Sequence, residues 1–181
     1  MREMGLDFTV FEASIDETAG RDESPDDFVQ RMALEKTDAA RQVFADAWII
    51  GGDTVVCHGE KLLGKPGSEE EAVTMLMSLA GGEHAVKTGV CVACANLEIS
   101  VVRVVTTRVF FNDFSEVVAR AYVAAGESMD KAGGYGIQGM GACLVRGIDG
   151  SYSNVVGLPL GELLEILTEY KVIEPCLTVK Y

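Results

Sequence analysis

No apolar run in this sequence approaches the length needed to cross a bilayer, and residues 1–10 carry no charged-then-apolar leader. The expectation is a soluble, unsecreted, cytoplasmic protein without a membrane partner. Basic residues are scarce: Lys and Arg number 15 against 28 Asp and Glu, a formal charge of -13, and such a field repels polyanions and argues against nucleic acid polymers as partners. A small nucleotide is a different matter, because a few lysines and a bound divalent cation neutralise a triphosphate locally. Histidines number two, His58 and His84, and neither stands at zinc-finger spacing from the Cys91-x-x-Cys94 pair, whose thiols would point to opposite faces of a strand. The five cysteines (Cys57, Cys91, Cys94, Cys143, Cys176) are an odd set spread through strand-like segments, which suits buried thiols in a reducing compartment better than a disulfide framework. No Ser, His, Asp arrangement is legible, so nucleophilic catalysis has little support. Internal repeats and low-complexity linkers are lacking as well.

What is present is a chain of 181 residues, 48% hydrophobic, enough for one α/β domain with a proper core. Residues 6–11 read as a strand, leading into an acidic loop over 14–27 that is expected to line something. Ser24 and Pro25 open an amphipathic helix running to about Phe44, with Phe28, Val29, Met32, Ala33, Ala40 and Val43 on its apolar side. Residues 48–57 (WIIGGDTVVC) predict a buried strand broken at its glycines and Asp53, and His58-Gly59 turns it into a short strand over 61–63. Ser68 and Glu71 form a capping box for a helix with Ala72, Met75, Leu76 and Leu79 inward, ended by Gly81-Gly82. The β-branched runs 85–95 and 99–111 predict an antiparallel hairpin, and 114–125 a helix. Residues 129–139 are too glycine-dense for regular structure; 143–148 and 152–156 read as strands and 160–170 as a closing helix.

Asp53 is the sharpest candidate. A carboxylate inside WIIGGDTVV must be satisfied by partners or used, and the glycines beside it permit a ligand to approach the backbone; the plain alternative is a capping carboxylate at a strand end. Glu17 in the acidic loop is a companion acid. Lys65 in GKP and Lys131 in DKAGGYGIQG have small neighbours, so an ammonium can reach a phosphate there; singly, each is more often a solvated charge, and Lys36 on its helix is no different. Gly134 to Gly139 satisfies GxGxxG, but a polar MDKAGG precedes it and a strand follows, so the glycines read as a turn against substrate rather than a dinucleotide fingerprint.

Taken together, GGDTVV, LLGKP, AVTMLMSLAGGEHAVKTGV, DKAGGYGIQG and GSYSNVVGLPL resemble successive motifs of the Maf family in order and spacing, over most of the chain. The resemblance implies an α/β fold: a mixed twisted sheet with flanking helices, related to inosine triphosphatase-like architecture, with a substrate cleft between two lobes. It implies a nucleoside triphosphate pyrophosphatase in which Asp53 is the general base, Glu17, Lys36 and Lys65 are polar cleft residues, and Asp53 with Glu17 hold Mg²⁺ or Mn²⁺. Asp130, Lys131 and Gly136 would border the same cleft. Thr54 after the aspartate and Gln138 in the IQG motif resemble the branch acting on dTTP and UTP. The 7-methyl-GTP branch has a different residue after the aspartate and an acid in place of Gln138, while modified pyrimidines stay open.

Family members normally open with a strand and a loop of the SPRR kind, and this chain begins after it, which implies unpaired neighbours and fewer phosphate contacts. Two other readings follow: a nucleotide-binding regulator without turnover, linked to division arrest, and an interaction protein in which Asp53, Lys65 and Gln138 are scattered in space. A homodimer is a further expectation from the resemblance.

Overall fold

The structure is a computed structural model that describes residue 1 and residues 5–174. Helix α1 spans Pro25–Arg41, started by the Ser24 hydroxyl accepting the Asp27 N–H (3.2 Å), by proline at the first turn and by Asp26 and Asp27 beside the positive end of the helix dipole. Strands β1 (Ile49–His58) and β2 (Lys61–Leu63) form a tight hairpin. Helix α2 (Glu69–Leu79) is capped by Ser68, with the Glu71 carboxylate accepting the Gly67 N–H (2.7 Å). The long strands β3 (Glu83–Cys94) and β4 (Ile99–Phe111) pair along their whole length, as their β-branched runs require. Helix α3 (Glu116–Ala124), two short 3₁₀ turns (Ala132–Gly134 and Gly139–Cys143), strand β5 (Val145–Asp149) and helices α4 (Tyr152–Val156) and α5 (Leu160–Glu169) complete the chain.

The sheet runs β2-β1-β3-β4-β5. The α/β architecture with flanking helices is as expected, and the pairings among the described residues are all antiparallel, so the parallel ones of a mixed sheet are not among them. Helix α1 covers one face, packing Phe28, Val29 and Met32 on Val55 and Cys57. Helices α2 and α3 cover Val56, Val86, Val109 and Phe111 on the other, and α5 covers Val90 and Val92. Among the described residues β2 pairs with Val56, Cys57 and His58 alone, which leaves the outer edge of β1 from Ile49 to Val55 open.

Several expectations are corrected. Residues 6–11 form no strand: Phe8, Val10 and Phe11 are 42%, 73% and 40% exposed, so the segment lacks the buried face that would fix one. Residues 152–156 are helical, because the Ser151 hydroxyl caps the Asn154 N–H and Gly157, at φ 118°, stops the helix; local capping overrides β-branched composition. Asp53 interrupts nothing, since β1 stays in register with β3 straight through it. Helix α1 ends at Arg41, and Val43 beyond it is exposed. Cys57, Cys91 and Cys94 are buried free thiols, Cys143 is an exposed one, and Cys176 lies outside the described residues.

Candidate active site

Helix α1 lies unusually close to the sheet. A methyl group on Gly89 would overlap the Val29 carbonyl oxygen, and one on Gly51 would overlap the Thr37 hydroxyl, so both positions require glycine for close approach. That approach sets Lys36, on α1, beside Asp53, on β1: the Lys36 ammonium is 2.7 Å from Asp53 Oδ1 and 2.7 Å from Glu17 Oε1. The Asp53 side chain is 15% exposed, whereas Glu17, on the loop before α1, is 56% exposed. Burial pushes the Asp53 carboxyl above its ordinary range, against the hydrogen bond and charge of Lys36; the Glu17 charge adds to the rise, and Lys65 opposes it. For Lys36 burial works against the charge, and the two carboxylates outweigh it, so its pKa is raised.

These groups line a cavity of about 570 Å³, within the range of small-molecule sites. Every residue singled out from the sequence borders it: Glu17, Lys36, Asp53, Thr54, Lys65, Asp130, Lys131, Gly136 and Gln138. Both faces of β1 contribute, so the cavity reaches round its open edge. The reading with scattered residues is thereby excluded.

The opposite wall is the glycine-rich stretch. Gly133 donates its N–H to the Gly64 carbonyl (3.0 Å), joining the loop of Lys65 to that of Lys131. Lys131 pairs with Asp130 (2.8 Å) and lies across Gly136, where a Cβ would stand 2.8 Å from Lys131 Cε. Two phenols hold the stretch from behind: Tyr122 OH accepts the Gly136 N–H (3.1 Å), and Tyr135 OH is 2.6 Å from His84 Nε2. Thr54 shares a hydrogen bond with Thr88 (2.8 Å) and donates to the Gly157 carbonyl (3.3 Å) at the end of α4.

The family described as Maf-like protein matches residues 1–170. The chain belongs to the Maf family. A relative from Desulfotalea psychrophila is 55% identical over 94% of this chain and 88% of its own length. Relatives from Syntrophus aciditrophicus and Vibrio cholerae are each 43% identical, over 92% and 94% of this chain and 81% and 90% of theirs. All three are named dTTP/UTP pyrophosphatase.

Sequence reasoning missed several lining residues of this Maf-family cavity: Phe28, Tyr135, Ile137 and the α4 end at Val155, Val156 and Gly157. Tyr135 stands inside the glycine motif and could have been found there as the one large side chain of AGGYG. Gly157 and Thr88 stand inside quoted motifs, but nothing local marks their contacts, which are with Thr54, 103 and 34 residues away.

Proposed function

We propose that this chain is a nucleoside triphosphate pyrophosphatase that hydrolyses dTTP and UTP, or closely related pyrimidine nucleotides, to the monophosphate and pyrophosphate. The observation that carries the reading is a half-buried aspartate, raised in pKa and paired to a lysine, in a cavity with further lysines on two separate loops. In this reading Asp53 takes the proton of a water whose oxygen bonds to the α-phosphorus, and the bond to the bridging oxygen breaks as pyrophosphate leaves. The raised pKa makes Asp53 a better proton acceptor while burial keeps bulk water from competing. Lys36, Lys65 and Lys131 offset phosphate charge where it grows. Thr54 and Gln138 line the same cavity and in this reading meet the base, the Gln138 amide pairing with a pyrimidine edge.

A divalent cation fits the donor set. Glu17 and Asp53 converge on one cationic point, the Lys36 ammonium, and Mg²⁺ usually takes one or two carboxylates together with substrate phosphates. When bound, Mg²⁺ or Mn²⁺ supplies charge neutralisation on the phosphates.

The same reading has one domain, a homodimer checked by sedimentation, and a cytoplasmic location. The free buried thiols support the location. The open edge of β1 beside the cavity favours one second reading, nucleotide binding without turnover. Pyrophosphate release with Mg²⁺ or Mn²⁺ across dTTP, UTP, CTP, 7-methyl-GTP and ITP in ¹⁸O-water separates the two. Turnover on dTTP and UTP with ¹⁸O in the monophosphate is expected; thermal stabilisation by these nucleotides without release would establish the binding protein instead.

A further inference from the structure

Glu17 sits in a segment without regular structure and is itself 56% exposed, yet its carboxylate meets Lys36 at 2.7 Å. Such a side chain holds one place only if the backbone around it is fixed. On one side Ile15 packs against the cluster of Phe28, Val29, Met32, Val55 and Cys57. On the other the anchor is Arg31, from the second turn of α1. Its Nη2 donates to the Thr18 carbonyl (3.1 Å), the residue next to Glu17, and its Nε and Nη2 grip the Glu23 carboxylate at 2.6 and 2.7 Å. Glu23 in turn accepts the Gly20 N–H (2.8 Å), and Glu35 one helical turn on completes the fork (3.3 Å). One planar cation thus ties both ends of the 18–23 loop to the helix that also carries Lys36, and the Glu23 carboxyl is held down to about 2 by it.

We propose that Arg31 is a positioning residue for the active site: it touches neither substrate nor metal, and sets the Glu17 carboxylate against Lys36 and Asp53. This rests on the reading of Glu17 as a working cleft residue. Lysine cannot replace it, because an ammonium lacks the fork that reaches Glu23 and the Thr18 carbonyl together.

The test compares Arg31→Ala, Arg31→Lys, Glu17→Gln and the Arg31→Ala/Glu17→Gln double variant of the full chain. Turnover of dTTP should fall on the order of tenfold with either Arg31 variant, as expected of a misplaced rather than deleted group. In the Glu17→Gln background Arg31→Ala should cost nothing further, since the two act through one carboxylate. Trypsin should cut after the exposed Arg21 several-fold faster in Arg31→Ala than in the parent, a readout of the loop independent of activity. Equal losses from Arg31→Ala in both backgrounds, or an unchanged cleavage rate, would overturn the proposal. If Arg31→Ala fails to fold, Glu23→Gln tests the same tether from the loop side and must reproduce both results. Should Glu17→Gln itself leave dTTP turnover intact, the role of Glu17 fails while the loop tether is still judged by the trypsin rate.

Discussion

The two walls of the cleft are built in opposite ways. One wall is regular: Asp53 on β1 and Lys36 on α1 are fixed by a helix packed so closely on two strands that glycine is required at Gly51 and Gly89. The other is irregular chain, the 14–24 loop and the 129–139 glycine stretch, with few backbone ladders of its own. Side chains do the holding there: Arg31 for Glu17, and Tyr122 and His84 for the turn that carries Gln138. In the proposed reading the regular wall sets the geometry of proton transfer. The tethered wall lets loops of variable sequence surround a nucleotide while keeping their functional groups within reach.

The regular wall is most sensitive at its tight packing. Gly89→Ala forces a methyl into the Val29 carbonyl, and should destabilise the fold by about 3 kcal/mol, near the upper end of overpacking costs, measured by urea denaturation. A midpoint unchanged from the parent would show that α1 yields and that close approach is not what positions Lys36.

A pH titration sharpens the tethered wall. His84 is buried, and burial first, with the His58 charge second, lowers its pKa from 6.5 to about 4. Between those values the unfolded chain takes up a proton that the folded chain refuses, so this stability is complete above about 6.5 and is lost as pH falls toward 4. The loss is at most roughly 3 kcal/mol. His84→Gln keeps a hydrogen bond available to Tyr135 without the titration, and its melting temperature should fall less between pH 6.5 and 4 than that of the parent.

Tyr122→Phe is the mildest break. It removes the acceptor of the Gly136 N–H and should cost about 1 kcal/mol of stability while raising KM for dTTP more than it lowers kcat, because the turn with Gln138 loosens. A fall in kcat with KM unchanged would contradict this, because it marks an interaction made only in the transition state.

The regular wall was legible in the sequence because its causes are local. The β-branched runs named the β3–β4 hairpin, and Ser24 and Ser68 marked two helix starts. The candidate site residues came from family motifs, and all of them line one cavity. Three features were not. The 6–11 segment alternates like a strand, but alternation says nothing about whether a partner ladder is at hand. SYSNVVG looks extended by composition, whereas buried Asn154, donating to Val86, Val105 and Thr107, and the left-handed Gly157 make it a helix. The tethers were invisible too, since His84 and Tyr135 stand 51 residues apart and no periodicity reports their meeting.

Everything in the proposed function turns on Asp53, held by Lys36 and raised by burial, as the base of a dTTP and UTP pyrophosphatase. Asp53→Asn keeps the size and a hydrogen-bonding side chain but cannot accept the proton. Its rate of pyrophosphate release from dTTP, at saturating nucleotide and Mg²⁺, should fall by a factor on the order of 10³ with dTTP still bound. Release within a few-fold of the parent rate would contradict the account and move the chemistry to another group in the cleft.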